Sequence, residues 1–254
     1  MAIYAQREEL ITEDQNWVAP EALNQKFSVR IWGAGGSGSF SGDLDNVGGA
    51  GGGSGYMAEG EFELPVNTMV EIEIGSGGKG IETALTNEID EYLTGKSGGT
   101  SYFGTYLSAA GGCGGQYDEG GIGGVNGAAP GMTAQGGHGG GGVTASVDGH
   151  VYSSGGGGMA VNGVGRGGAA NFAQGDAGIA AGGAGCMITK VNSVTDTPTL
   201  RIGSGGNGMC YITYYQEINV PPNTEVVGAV TTDEEGNIVP VNTVTGEIIT
   251  DSNS

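Results

Sequence analysis

Three stretches of the chain place aromatic side chains beside carboxylate, amide or basic groups: residues 116–119, 146–152 and 166–174. An aromatic plane can cover the apolar face of a sugar ring, while carboxylate and amide oxygens accept hydrogen bonds from its hydroxyls. The pattern indicates a binding surface, although each aromatic ring could instead pack over neighbouring backbone. The candidate binding residues are Tyr117, Asp118, Asp148, His150, Tyr152, Arg166, Asn171 and Phe172.

Catalytic motifs occur in the sequence without the context that they need. His138 and His150 are the only histidines, and although Cys113 could pair with one of them as a nucleophile, nothing in the sequence orients such a pair. G-x-G-x-x-G occurs after three apolar runs, but a dinucleotide site also needs a following helix, and residues 39–42 have no helical period. We therefore expect no enzymatic activity, no catalytic residues and no cofactor.

Acidic residues and cysteines are the remaining candidates for a metal site. Asp43 with Asp45, and the run of residues 233–235, could hold a hard cation through oxygen ligands, but solvated turn carboxylates are the simpler interpretation. The three cysteines, Cys113, Cys186 and Cys210, are an odd number at unrelated spacings, which argues against a disulfide framework and a zinc site. We expect no metal, and we interpret the cysteines as small buried fillers.

Glycine dominates the region that must position any such site, because 54 of the 57 glycines lie in residues 33–208. Glycine loses more chain entropy on folding than any other residue, so its repeated use predicts close approach of backbones. The collagen phase fails, since runs such as residues 48–53 break the three-residue period. A compact alternative is a bundle of extended, polyglycine-II-like strands. Disorder is the other interpretation that the composition allows.

The flanking elements predict a mainly β or irregular fold: a small β-sheet base continuing into this glycine-rich bundle, with a C-terminal hairpin appendage. Residues 29–38, 70–80 and 200–208 each read as a strand followed by a glycine run. Residues 60–74 resemble a hairpin, and residues 81–93 have the only helical composition. We divide the chain into an N-terminal segment (1–32), a glycine-rich domain (33–218) and an acidic appendage (219–254).

The charge balance narrows the class of partner. The chain has 254 residues, with eight basic residues against 28 acidic ones, and its net charge of −20 disfavours binding to nucleic-acid phosphates. No apolar run approaches the roughly 20 residues of a membrane-spanning helix, and the N-terminus lacks the order of a secretory signal. We expect synthesis in a cytoplasm without membrane insertion.

A series of motifs in fixed order resembles the glycine-rich receptor-binding domains of bacteriophage tail-fibre proteins. The order covers roughly residues 15–215. Its elements are V-R-I-W-G-A-G-G at 29–36, G-G-G-S-G-Y at 51–56, two strands joined through a proline at 62–74, I-G-S-G-G at 74–78, G-G-T-S-Y-F-G at 98–104 and L-S-A-A-G-G at 107–112. This chain departs from that pattern in lacking a long N-terminal fibre shaft and in carrying an acidic C-terminal appendage.

The resemblance implies a virion surface protein, most simply a tail-fibre tip adhesin with the candidate residues as its receptor-binding loops. Its partners would be other virion proteins of the fibre, tail or capsid, and a host surface glycan or protein. A head fibre or capsid decoration subunit is the alternative, since the glycine body could serve only as a stable spacer. A glycan-degrading enzyme would need paired carboxylates in a cleft, which the sequence does not indicate. A homo-oligomer remains open.

Overall fold

The structure is a computed structural model that describes residues 2–42, 46–48, 51–84, 92–116, 133–134, 145–146, 152–153, 186–189 and 199–249. This part of the chain is mainly β-sheet, with one 3₁₀ turn at Leu23–Gln25 and no α-helix. The strands are β1 (Tyr4–Ile11), β2 (Gln15–Val18), β3 (Lys26–Trp32), β4 (Phe40–Gly42), β5 (Asn46–Gly48), β6 (Met57–Glu63), β7 (Met69–Glu73), β8 (Ile81–Ala84), β9 (Tyr92–Leu93), β10 (Ser101–Phe103), β11 (Leu107–Ala109), β12 (Thr133–Ala134), β13 (Ala145–Ser146), β14 (Tyr152–Ser153), β15 (Cys186–Thr189), β16 (Thr199–Ile202), β17 (Met209–Glu217), β18 (Val230–Thr232) and β19 (Ile238–Pro240).

These strands form four sheets. The largest has the order β12-β6-β3-β17-β1-β18-β19, and a second has the order β11-β10-β7-β2. The other two are β13-β5-β4-β9 and β14-β15-β16-β8. Strands that are neighbours in a sheet are often far apart along the chain; β17, for example, lies between β3 and β1 and pairs antiparallel with both.

The hydrophobic core lies between the seven-stranded sheet and the β11-β10-β7-β2 sheet. The inward residues of β3 alternate along the strand as Phe27, Val29 and Ile31, all fully buried. They meet Val70, Ile72 and Phe103 of the opposite sheet in the same cluster. Trp17 joins the two layers, because its ring packs edge-on against Phe27 at 5.2 Å and lies 5.9 Å from Phe103. The two sheets are therefore a side-chain-filled sandwich.

Six strands of this sandwich run directly into, or out of, glycine-rich segments. The segments are residues 33–39 after β3, 51–56 before β6, 74–80 after β7, 94–100 before β10, 110–115 after β11 and 203–208 before β17. Three of these strands belong to one sheet and three to the other. Both layers of the sandwich therefore continue into the same glycine-rich region.

The segment at residues 33–38 lies among the other five, and its N–H groups donate to three of them in rotation. The bonds, all 2.8–3.0 Å, are Gly33 N to Tyr56 O, Ala34 N to Gly99 O, Gly35 N to Gly206 O, Gly36 N to Gly53 O, Ser37 N to Lys96 O and Gly38 N to Gly203 O. Each neighbour recurs every third residue, whereas a β-strand has a period of two. The carbonyls of Ala34 and Gly35 accept from the remaining two segments, through Gly112 N and Gly78 N.

The missing β-carbons explain why these segments can lie so close. Packed sheets stand about 10 Å apart when side chains fill the space, but backbones that exchange hydrogen bonds lie about 4.8 Å apart. A β-carbon added at Gly33, Gly52 or Gly55 would overlap a backbone carbonyl of a neighbouring segment. We call the six glycine segments together the glycine array. In it, the two layers of the sandwich converge to hydrogen-bonding distance.

A buried serine joins the two layers at the point where the sandwich becomes the array. The Ser101 hydroxyl donates to Trp32 O at 2.8 Å and accepts from Gly75 N at 2.9 Å. Trp32 ends β3 in one sheet, while Gly75 follows β7 in the other. Ser101 is fully buried, so water cannot satisfy the Trp32 carbonyl and the Gly75 N–H at this point. The Ser101 hydroxyl bonds to both instead.

Several local expectations differ from the structure. Residues 60–74 do turn at Pro65, where Thr68 N donates to Pro65 O, but β6 and β7 belong to different sheets and do not form a hairpin. The stretch at 81–93 begins with β8 and ends with β9, so its helical composition was misleading at both ends. Cys210 is buried as expected, whereas Cys113 is exposed and is not a core filler.

Residues 219–249 continue the seven-stranded sheet. β18 pairs antiparallel with β19 across a turn in which Asp233 Oδ1 accepts from Asn237 N at 2.7 Å. The link to β1 is the single pair Tyr4 and Val230, supported by the Thr231 hydroxyl donating to Ala2 O at 2.9 Å.

Adjacent glycines of one segment offer a direct test of the array. A β-carbon at Gly98 would overlap the carbonyl oxygens of Ala34 and Gly35, whereas one at Gly99 meets its nearest atom, Ser76 N, at 3.1 Å. We expect Gly98→Ala to lower the free energy of unfolding by about 3 kcal/mol or more, because backbone cannot move aside as a side chain can. Gly99→Ala, the matched control, should cost clearly less. Urea denaturation of both variants measures this, and equal losses would contradict the packing described.

A partly buried carboxylate, Glu9, bonds to two aromatic residues of the core. Glu9 accepts from the Tyr214 hydroxyl at 2.8 Å through one oxygen and from Trp17 Nε1 at 3.0 Å through the other. Burial raises the pKa of the nearby Cys210 thiol from 9.0 to about 12, and the Glu9 charge adds to this effect. Burial likewise raises the pKa of Tyr214 from 10.0 to about 12, with further contributions from its hydrogen bond to Glu9 and the Glu9 charge.

The raised pKa of Cys210 predicts a loss of stability in alkali. The unfolded thiol ionises above pH 9 while the folded one stays neutral until about pH 12, so its stabilisation is complete below pH 9 and is lost as the pH rises through this window. Between pH 7 and pH 10 the wild-type chain should lose about 1 kcal/mol more than Cys210→Ala. Denaturation curves at both pH values measure the difference, and parallel losses would contradict the assignment.

Candidate functional site

The binding residues predicted from the sequence lie almost entirely outside the described part of the chain. This holds for Tyr117, Asp118, Asp148, His150, Arg166, Asn171 and Phe172. Tyr152 is the exception, since its backbone lies in β14 opposite Ile188. Whether these residues come together therefore stays a prediction, as does any role for His138, Asp43 and Asp45, which also lie outside the described residues.

A polar groove of about 270 Å³ lies on the outward face of the seven-stranded sheet. Its lining comes from three neighbouring strands: β1, β17 and β3. The lining residues are Gln6, Glu8, Ser28, Arg30, Tyr211 and Thr213. We call it the sheet-face groove.

Strand register explains why these residues meet. Thr213 lies opposite Glu8 on one side and opposite Ser28 on the other, so the three form a row across the sheet. Tyr211 and Arg30 form the next row, with Glu59 of β6 beyond Arg30. Since side chains alternate between the two faces of a strand, these outward residues interleave with the inward core residues Ile212 and Val29.

Ion pairing and hydrogen bonding order the groups around the groove. Arg30 Nη2 lies 3.1 Å from Glu59 Oε1, in a pair whose two side chains are 44% and 18% exposed. Desolvation raises the pKa of Tyr211, a hydrogen bond with Glu8 and the Glu8 charge raise it further, and Arg30 opposes the shift. Together these contributions disfavour the phenolate form of Tyr211.

Beside the groove, the same face of the sheet holds a buried apolar row. Trp32 lies opposite Met57 and Met209, and all three are buried. By strand alternation they share the face of Arg30 and Tyr211, and none of them belongs to the main core cluster. Two buried polar atoms in this neighbourhood, Trp32 Nε1 and Glu59 Oε2, have no hydrogen-bond partner among the described residues.

A second, smaller cleft of about 190 Å³ lies where the glycine array meets β8 and β16. Lys79 and Lys96 line it together with Ile81 and Ile202. Both lysines are exposed, and the backbone of Lys96 is bound on both sides to Ser37, through Ser37 N to Lys96 O and Lys96 N to Ser37 Oγ. Exposed lysines on an apolar floor can attract an anion but do not fix its position.

The described residues offer little for metal or phosphate chemistry. They contain no group of three or more His, Cys, Asp or Glu side chains placed to hold a metal ion. The first G-x-G-x-x-G match, at residues 33–38, has all of its N–H groups bonded to backbone carbonyls. Those donors are therefore not available to a pyrophosphate.

Comparison with known protein families adds one finding. A family model described as a glycine-rich domain matches residues 11–215, which is most of the chain. The chain belongs to this glycine-rich family. The matched part of the glycine-rich domain includes β2 to β16, the whole array and most of β17, as well as four of the six residues that line the groove.

No curated protein matches the sequence of this glycine-rich domain. Within the part of the chain that the structure describes, no helix has the length and apolar character to cross a membrane.

Sequence reasoning did not find the sheet-face groove. Gln6, Ser28 and Tyr211 lie far apart along the chain, and only the pairing of β1 and β3 with β17 brings them together. The alternation of polar residues along each strand was the available signal. Alternation indicates which residues share one face of a strand, but it does not reveal which strands are neighbours.

The interaction between Glu8 and Tyr211 can be tested by titration. We expect Glu8→Gln to lower the pKa of Tyr211, because it removes the charge and changes the hydrogen bond that disfavour the phenolate, while the effect of desolvation remains. A tyrosine-labelled carbon spectrum followed through alkaline pH gives the value. Glu61→Gln, on β6 opposite Ser28, serves as a control and should leave the pKa of Tyr211 unchanged. An unchanged Tyr211 titration in Glu8→Gln would refute the coupling.

Proposed function

We propose that this chain is a bacteriophage virion surface protein, most specifically a tail-fibre tip adhesin that binds a host cell-surface receptor without catalysis. The proposal starts from the fixed motif order across residues 15–215 and from membership of a glycine-rich family over residues 11–215. The observation that carries it is the glycine array at the end of the sandwich, in which residues 33–38 are hydrogen-bonded to five neighbouring segments.

We further propose that the array is a polyglycine-II-like bundle and that residues 219–254 form a C-terminal hairpin appendage. The three-residue recurrence of donors along 33–38 supports the first assignment, since polyglycine-II, like polyproline-II, has three residues per turn. The antiparallel pair β18 and β19 supports the second.

Such an array suits a particle that must survive outside a cell. Its strength comes from backbone hydrogen bonds, and its segments contribute almost no side chains for recognition. Recognition must therefore use loops or sheet faces beside it, which can change while the scaffold stays constant. The stretches around Tyr117 and Phe172, the strand residue Tyr152 and the sheet-face groove are candidate places for such side chains.

A glycan-degrading enzyme finds less support in the geometry. Glycoside hydrolysis uses two carboxyl groups held about 5–10 Å apart on opposite sides of the bond that breaks. Glu8 is the one carboxylate among the residues that line the sheet-face groove. Binding without bond cleavage is the simpler use of that surface.

The position of the protein on the particle tests the proposal. Immunogold electron microscopy, with antibody against residues 33–208, should label the distal tips of tail fibres. Label on the capsid or neck would contradict the adhesin assignment and favour a head-fibre or decoration subunit. Absence of label from purified particles, with the protein present in the lysate, would contradict a virion protein of either kind.

A further inference from the structure

The sheet-face groove has the mixed donor and acceptor chemistry that a hydroxyl-rich ligand requires. Gln6 offers an amide that both donates and accepts, and Ser28 and Thr213 offer hydroxyls with the same capacity. Glu8 accepts only and Arg30 donates only. A sugar hydroxyl both donates and accepts, so each of these groups can pair with one.

Tyr211 gives the groove an aromatic surface. It is half-buried on the outward face, and its neighbour across β1 is the largely exposed Leu10. The remainder of the lining is polar, so apolar contact in the groove is confined to this ring. One aromatic plane among several hydrogen-bonding groups matches a pyranose ring, which has an apolar face and a polar rim.

The charges around the groove select against anions. The single cation of the lining, Arg30, is already paired with Glu59 at 3.1 Å. Glu8 remains, and Glu61 adds a second negative charge on the same face of β6, while Glu63 is paired with Lys26 Nζ at 3.8 Å. The surrounding chain carries a net charge of −20. A carboxylated or phosphorylated ligand would approach against this field.

Two unsatisfied polar atoms lie in the rows next to the groove. Trp32 Nε1 is a donor and Glu59 Oε2 is an acceptor, and both are buried without a partner among the described residues. Trp32 is 3% exposed, and it lies diagonally from Glu59 because Met57 is its direct neighbour on β6. Buried polar atoms without partners are rare in proteins, and an ordered water is a common partner for them.

We propose that the sheet-face groove is a binding site for a neutral saccharide, with one pyranose ring against Tyr211 and its hydroxyls bonded to Glu8, Thr213 and Arg30. The assignment rests on the proposed function only in taking that saccharide to be part of a host surface glycan. The groove has a volume of about 270 Å³, just below the roughly 300–1,000 Å³ of pockets for drug-sized ligands. This size fits one sugar unit of a longer chain.

The test is direct binding by the purified full chain. The probe is a printed set of bacterial-surface oligosaccharides of defined composition, some neutral and some bearing sialate, uronate or phosphate. The strongest neutral binder is then titrated by calorimetry against the wild-type chain and three variants. Tyr211→Ala removes the ring, Thr213→Val removes a hydroxyl at nearly constant volume, and Tyr102→Ala removes an exposed tyrosine of β10 in the other sheet.

We expect binding to neutral oligosaccharides, an affinity that changes little with salt, a loss of roughly tenfold in Tyr211→Ala and a loss of about two- to tenfold in Thr213→Val. Tyr102→Ala should bind as the wild type does. Thermal melting of each variant separates loss of binding from loss of fold, and Thr213→Val keeps the test valid if Tyr211→Ala is unstable.

Three results would overturn the saccharide site: no binding to any neutral oligosaccharide, binding confined to the acidic ones, or neutral binding that both groove variants leave unchanged. These results are independent of particle location. Gold label on fibre tips without neutral-saccharide binding would reject the groove and keep the adhesin. Label on the capsid with binding lost in the groove variants would reject the adhesin and keep the groove.

Discussion

Close approach of backbones is the constraint on which the rest of this structure depends. At most positions of the array a single added carbon would overlap a carbonyl of the next segment, so glycine is required for steric reasons at many positions together. What the chain loses in conformational entropy is offset by hydrogen bonds that run from one central segment to several neighbours. The sandwich supplies what the array lacks, since its side chains fix the register of the six strands that lead into the glycine segments.

The molecule therefore separates rigidity from recognition. In the array, every backbone N–H of residues 33–38 and three of their carbonyls bond to another segment, and few side chains remain to meet a ligand. On the outward face of the seven-stranded sheet the opposite holds, because the backbone is paired within the sheet and the side chains are free to vary. A groove there can change its chemistry through Tyr211 or Thr213 without altering the glycine scaffold.

The sequence allowed part of this architecture to be predicted. Glycine content and the failure of the collagen phase led to close-packed extended segments, and the alternation of residues 27–32 led to β3. The β-rich class followed from such runs. Pairing did not, because β6 and β7 are adjacent along the chain yet lie in different sheets. A turn at Pro65 looks the same whether its two strands pair with each other or cross between layers.

The same limit explains the errors at particular residues. The stretch at 81–93 has helix-forming residues such as Glu and Leu, but β8 and β9 pair with distant strands whose positions no local propensity reveals. Cys113 was expected to be a small buried filler because the number and spacing of the cysteines indicated neither disulfides nor a zinc site, but it is exposed. Likewise, the groove depends on β17 lying between β1 and β3 in the sheet. The binding residues predicted from the sequence, such as Tyr117 and Phe172, stay a prediction.

The order in which the central segment meets its neighbours has a consequence for how the chain is made. Gly35 and Gly38 donate to Gly206 and Gly203, which leave the ribosome long after residues 33–38. Until then the early segment has backbone donors with no native acceptor, and β3 also lacks its partner β17. Contacts this distant along the chain are formed late and slowly, and exposed strand edges invite pairing with other chains. The nascent protein must therefore remain unassembled, and protected from its own copies, until its last strands are synthesised.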